Sequence, residues 1–240
     1  MTSVLQSALR LVYPPRCLTC DAQVDDEFGL CGPCWRDTPF ITGLVCDHCG
    51  VPLPGEDRGE AELCDECLKI TRPWSHGRAA LIYKDLGRKL VLSLKHGDGA
   101  DLAEPAAKWL ARVATPLLRQ DTLVAPVPLH WSRMLKRRYN QSAVLADAFA
   151  KHLHLEYCPD LLLRSRRTQS LDGLNFQERF AMTNGAMRPN PRHAHLIKDR
   201  SILLIDDVMT AGATFSASTQ AAYAAGAREV CVLEIGRAHV

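Results

Sequence analysis

Four C-x-x-C pairs crowd into the first 67 residues: Cys17/Cys20, Cys31/Cys34, Cys46/Cys49 and Cys64/Cys67. A tight C-x-x-C turn presents two thiolates to one zinc ion, and a second such turn completes the tetrahedron. Ten residues separate the first two pairs and fourteen the last two. Each interval suits a short hairpin with one turn of ligands at either end. The expectation is two consecutive zinc ribbons holding two structural Zn2+ ions. A cross-braced pairing, first with third and second with fourth, uses the same eight ligands, and spacing alone leaves it open. Nothing marks the chain for export, and the C-x-x-C spacing favours metal over a disulfide framework. The Cys31–Cys34 pair reads CGPC, as in thioredoxin-like redox motifs, but lacks their strand–helix surroundings. Four thiolates per ion leave no position open for water, so the zinc is structural and His48 a bystander.

The charge distribution separates this segment from the rest of the 240 residues. Between Cys17 and Cys67 stand twelve Asp/Glu and two Lys/Arg, a balance of −10; the remainder carries 15 acidic and 27 basic residues, or +12. Such a split argues for two modules with different partners. Thiolate-bound zinc deepens the acidity of the first module. It would repel phosphates, which points to structural and protein-docking roles. The first sixteen residues read as a short amphipathic helix interrupted by Arg10, and no run approaches the ~20 apolar residues of a membrane span. The expected organisation is therefore an N-terminal helix (1–16), a double zinc ribbon (17–72) and a larger domain (73–240).

The larger domain alternates strand and helix patterns. GRAALIY reads as a strand, followed by helical stretches GRKLVLSLKHG and ADLAEPAAKWLARVATPLLRQ. DTLVAPVPL is a second strand, WSRMLKRRYNQSAVLADAFAKHLHL a long helix and SILLI a third strand. FSASTQAAYAAGA is a helix stopped by Gly226, and REVCVLEI a last strand. This alternation predicts an α/β domain with a mostly parallel sheet, whose ligands sit beyond the carboxyl ends of the strands. Cys158 and Cys231, each among apolar neighbours, read as small buried hydrophobes.

Asp206 and Asp207 end the SILLI strand, and the loop Thr210–Ala211–Gly212–Ala213–Thr214 follows directly before a helix. Unpaired amides and the helix dipole make such a loop a seat for phosphate. Two carboxylates beside it can accept hydrogen bonds from a vicinal diol, so together they describe a site for ribose 5-phosphate. A P-loop is excluded because no Lys follows the glycine. A response-regulator receiver needs more strands than the 33 residues after Asp207 allow.

ILLIDDVMTAGAT resembles the phosphoribosyl-pyrophosphate (PRPP) motif of type I phosphoribosyltransferases. With the N-terminal double zinc ribbon, the chain resembles the ComF/GntX family of ComFC-like competence proteins over nearly its whole length. LKHGD (94–98), VPLHWSRMLKRRYNQSAVLA and LLRSRRTQSLDGLNFQER resemble further family segments. Arg138 stands where many members have Gly, and Leu171 where many have Gln, in what should be a mobile active-site loop. The resemblance implies a type I phosphoribosyltransferase-like sheet with flanking helices. Asp206 and Asp207 would hold the ribose hydroxyls, and residues 210 to 214 would wrap the 5-phosphate. Mg2+ would ride on the ligand's own oxygens, as Mg2+ commonly does. It also implies a link to natural transformation and DNA uptake on the cytoplasmic side, with no membrane insertion.

Arg133, Lys136, Arg137 and Arg138 fall in the opening turns of the expected long helix, where cations oppose the macrodipole. An anion there reverses the sign, and either pyrophosphate or a nucleic-acid backbone would serve. Lys95, with His96 at the end of the first helix, is a further candidate for the pyrophosphate. Two functions remain: a phosphoribosyltransferase with an unidentified nitrogenous acceptor, or a PRPP-sensing accessory that handles single-stranded DNA while its acidic ribbons dock proteins.

Overall fold

The computed structural model describes residues 14–25, 29–94, 102–129, 139–166 and 176–238. A five-stranded sheet organises them. Its strands are β1 (Gly77–Ile82), β2 (Leu123–Pro126), β3 (Glu156–Tyr157), β6 (Ser201–Met209) and β7 (Glu229–Arg237). They lie in the order β1-β7-β6-β2-β3, every pair parallel. Parallel strands need cover on both faces, and the central pair shows it. Ile202 and Leu204 of β6, with Val230 and Val232 of β7, face one apolar cluster; Leu203, Ile205, Leu233 and Ile235 face another.

The second cluster is roofed by three helices: α3 (Asp85–Ser93), α4 (Ala103–Ala114) and α5 (Gln141–Leu153). The first is closed by α7 (Ala213–Ala224) together with Cys46, Cys49, Cys67 and Trp74 from the cysteine-rich segment. That segment contributes two short helices of its own, α1 (Gly32–Asp37) and α2 (Asp65–Lys69). A two-stranded antiparallel sheet, β4 (Leu162–Arg164) with β5 (Met187–Pro189), and helix α6 (Phe176–Thr183) complete the domain. The fold class expected from sequence holds: α/β, a parallel sheet with flanking helices, preceded by a cysteine-rich double ribbon.

The ribbons are built into this sheet. Residues 39 to 41 run antiparallel along the exposed edge of β1, Ile41 N–H donating to Ala80 O (2.9 Å) and Ile82 N–H to Pro39 O (2.9 Å). An open edge strand invites pairing with other chains, and this linker closes it. At the start of β1, Gly77 N–H donates to Asp47 O (2.9 Å). A Cβ at Gly77 would lie 2.3 Å from His48 O, so only glycine permits the ribbon to approach so closely.

Three expectations shift. The strand containing SILLI continues through Asp206 and Asp207 to Met209, because β7 pairs with it as far as Arg237. The helix expected from Trp131 is capped at Asn140, whose backbone is extended and whose side chain accepts from Ser142 N–H (3.2 Å). Tyr139 and Asn140 thus precede α5. The first helix of the domain runs Asp85–Ser93 with Leu94 as C-cap, within and just before the stretch GRKLVLSLKHG expected to be helical. Most of the N-terminal helix, the Arg133–Arg138 cluster, Lys95, His96 and the loop bearing Leu171 lie outside the described residues. Among the described residues no helix is long and apolar enough to cross a membrane.

Candidate functional site

The eight paired cysteines gather into two groups, Cys17/Cys20/Cys31/Cys34 and Cys46/Cys49/Cys64/Cys67, each with its sulfurs within 4.8 Å of one another. The pairing is therefore sequential, and the cross-braced alternative is excluded. Two four-thiolate sites fit two structural Zn2+ ions, since soft sulfur donors at tetrahedral spacing suit zinc and leave no open position. His48 belongs to neither group. Cys158 and Cys231 are buried, and burial raises both thiols above their usual range, Cys231 to about 12, as suits inert core residues.

The carboxylates are the sixth and seventh of the nine residues of β6, toward the carboxyl end of the sheet. Asp206 Oδ1 accepts from Ser142 Oγ at 2.6 Å, at the start of α5, and from Asp207 N–H at 2.9 Å. Five residues beyond Asp207, the chain turns at Gly212 (φ 81°), which serves as N-cap of α7. A Cβ there would meet Arg72 Nη1 at 2.7 Å and Trp74 Cη2 at 2.9 Å, besides the strain of a left-handed φ. Asp206, Asp207 and residues 210 to 214 are thus brought together as the sequence implied. The structure describes none of Lys95, Arg133 and Arg137, the proposed pyrophosphate contacts.

Side chains from distant segments hold this loop. Arg179 Nη1 of α6 donates to Thr210 Oγ1 (2.7 Å), and Thr183 Oγ1 to Ala213 O (3.2 Å). Arg237, at the end of β7, donates through Nη1 to Met209 O (3.2 Å) and Thr210 O (2.8 Å). Arg72 donates to Ala211 O. Both guanidiniums converge on Glu66 of α2, at 3.0 Å from Arg72 and 3.2 Å from Arg237. Trp74 stands over the helix start, 6.1 Å from the ring of Phe215, and donates to His48 O (2.6 Å).

Sequence reasoning missed Glu66, Arg72, Ser142, Arg179 and Arg237. Glu66 lies within the last C-x-x-C pair, Ser142 and Arg179 within segments that carry the family resemblance, and Arg237 at the end of the last strand, but no local spacing shows that they meet at one loop. Beside Asp206 in the sheet lies Glu234 of β7, paired in register with it and wholly buried, neither carboxylate oxygen having a hydrogen-bond partner. Burial pushes its carboxyl well above the usual range, against the pull of Arg237 and Arg72 and with that of Asp206.

Residues 8–70 match the double zinc ribbon domain family. The DNA utilization protein YhgH of Escherichia coli K12 is 27% identical over 229 residues, covering 92% of this chain and 96% of its own. Competence protein F of Haemophilus influenzae is 24% identical over 236 residues, covering 93% and 97%. Among solved structures, the glutamine PRPP amidotransferase of B. subtilis, complexed with ADP and GMP, aligns at 15% identity. Its TM-score is 0.40, and the alignment covers 60% of this chain and 30% of that one. At that score the alignment adds nothing to the topology. The chain joins a double zinc ribbon to an α/β domain built on a parallel five-stranded sheet. It is similar to these DNA utilization and competence proteins from one module through the other.

Proposed function

We propose that this protein binds PRPP with Mg2+ at the end of β6 and transfers its phosphoribosyl group to a nitrogenous acceptor. One observation carries the reading: adjacent half-buried carboxylates run straight into a glycine-turned loop of small and hydroxyl residues at the start of a twelve-residue helix. Asp206 and Asp207 accept from the ribose hydroxyls, and the 210–214 loop seats the 5-phosphate on amides at the positive end of α7. Displacement of pyrophosphate passes through a transition state of oxocarbenium character, so the protein supplies no nucleophile. It positions the sugar and surrounds the departing charge with fixed donors. The oxygen donors here suit a hard cation that arrives on its phosphates, and Mg2+ would offset pyrophosphate charge.

The names of the relatives, DNA utilization protein and competence protein, support a role in DNA uptake. The +12 balance outside the ribbons favours the second reading, a PRPP-sensing accessory tracking single-stranded DNA. On either reading the protein works in the cytoplasm, and the acidic ribbons would dock partner proteins.

Calorimetry with PRPP and Mg2+ tests the common core. Binding is expected in the parent and at least about 100-fold weaker in Asp207→Ala, the order of two lost charge-assisted hydrogen bonds. No heat at millimolar PRPP would sink it. Release of pyrophosphate in the presence of a base selects the enzyme; salt-sensitive DNA binding that survives Asp207→Ala without turnover selects the accessory.

A further inference from the structure

The second zinc site and the candidate phosphate loop are joined by an unusual pair of buried cations. Arg72 is fully buried at its side chain and Arg237 97% so, its exposure being 3%. Burying two guanidiniums is costly unless their charges are met and their donors used. Here Nη1 of each goes to the loop, Met209 O and Thr210 O taking Arg237 and Ala211 O taking Arg72, while the Nε of each is buried without a partner. The charges are met from the ribbon, where Glu66, one residue before Cys67, accepts from both. Each arginine also faces a ligand thiol of the second site, Arg72 at Cys67 and Arg237 at Cys49. Zinc held by four thiolates adds negative charge on that side. No comparable bridge joins the first site to the loop among the described residues; the α/β domain's cations there are Lys89, donating to Thr19 O, and Arg112, over the ring of Trp35, both from helices on the other face of the sheet.

We propose that Arg72, Arg237 and Glu66 are positioning residues through which the second zinc site sets the shape of the 209–214 loop. Phosphate binding there then depends on the bridge from the site at Cys46, Cys49, Cys64 and Cys67 and not on the first site. The nature of the ligand rests on the PRPP reading above; the coupling itself does not. The carbonyls of residues 209 to 211 are turned inward to the guanidiniums. The turn at Gly212 thereby points the opposite side of the loop, with the amides that follow, toward the ligand. Loss of the ribbon's carboxylate would free the arginines to seek solvent and let the carbonyls rotate. A Cβ at Gly212 cannot substitute for this hold, because it would occupy the space of Arg72.

The test uses the full chain and three variants: Glu66→Gln, Arg72→Lys and, as first-site control, Cys20→Ser. Zinc content, amide hydrogen exchange and PRPP calorimetry with Mg2+ are measured on each. Glu66→Gln and Arg72→Lys are expected to keep two zinc ions and parent-like exchange in β2. Their 209–214 amides should exchange at least tenfold faster, and PRPP should bind at least tenfold more weakly. Cys20→Ser should lose one zinc and keep parent values at the loop. Parent-like exchange at 209–214 in both bridge variants overturns the proposal whatever the affinity, and so does a loosened loop in Cys20→Ser. A parent that binds no PRPP sinks the ligand reading alone, and loop exchange then decides the coupling by itself.

Discussion

The two zinc ribbons share a ligand pattern and part company in everything around it. In the first, Cys20 is exposed and Cys31 half-exposed, and Trp35 projects into solvent with Arg112 over its ring at 5.2 Å. Only partly buried residues, Leu18, Leu30 and Phe40, bring that region to the core. In the second, Cys46 and Cys49 are completely buried and Cys67 nearly so, and they belong to the same apolar cluster as β6 and α7. Asp47, between two of its ligands, accepts from Arg78 (2.8 Å) and His76 (2.7 Å) in the opening turn of the sheet. A ribbon is thus a local motif whose energetic weight depends on what is packed against it. One copy clips the chain at the periphery; the other is a wall of the candidate site.

Removing one ligand from each site should expose the contrast most strongly. Structural zinc contributes on the order of 10 kcal/mol to small sites that fold only with metal. Cys49→Ser is expected to lower Tm by more than about 10 °C, and Cys20→Ser by less than about 4 °C. Zinc analysis should find two ions per parent chain and one in each variant. Equal losses of Tm would erase the distinction.

The ion pairs give a smaller version of the comparison. Asp47→Asn leaves Arg78, 16% exposed, short of its charged partner, and should cost about 1.5–3 kcal/mol in denaturant unfolding at neutral pH. Asp37→Asn breaks only the exposed contact with Arg36 on the first ribbon (3.4 Å). It should change stability by no more than about 0.5 kcal/mol. Similar values for both would mean that the second ribbon's docking is not electrostatically anchored.

The smallest effect concerns Glu234, buried beside Asp206 in the sheet. Burial raises its carboxyl above the ordinary value of 4.5, so the folded state holds a proton that the unfolded state releases. Stability contributed by this group is then complete below pH 4.5 and declines as pH rises toward the folded value. Glu234→Gln removes that decline. It should raise Tm by roughly 1–3 °C at pH 7 and by progressively less as pH approaches 4.5. A lower Tm at pH 7 would show that Arg237 and Arg72 hold the carboxylate ionised.

Much of the fold was legible because hydrophobic period and turn residues are local. Four of the five strands of the main sheet and the helix ended by Gly226 (φ 89°) stand where their patterns place them. The two-residue β3 and the short β4–β5 pair were too brief to show a period, and α6 follows a segment rich in polar residues. The helix start at Asn140 was overrun because helix-forming residues continue upstream, and only the cap geometry places the boundary. In the site, Asp206, Asp207 and the 210–214 loop are contiguous and could be read together. Arg72 and Arg237, 165 positions apart, could not.

The sequence by itself determined the zinc ligands, the parallel α/β character and the carboxylate-loop motif, since each depends on spacing within a few residues. Tertiary structure alone decided which cysteine pairs share a site, which ribbon enters the core and what supports the phosphate loop. Those outcomes depend on desolvated charges meeting across the fold. A buried guanidinium must find its acceptors wherever the chain brings them, and no local pattern records where that is.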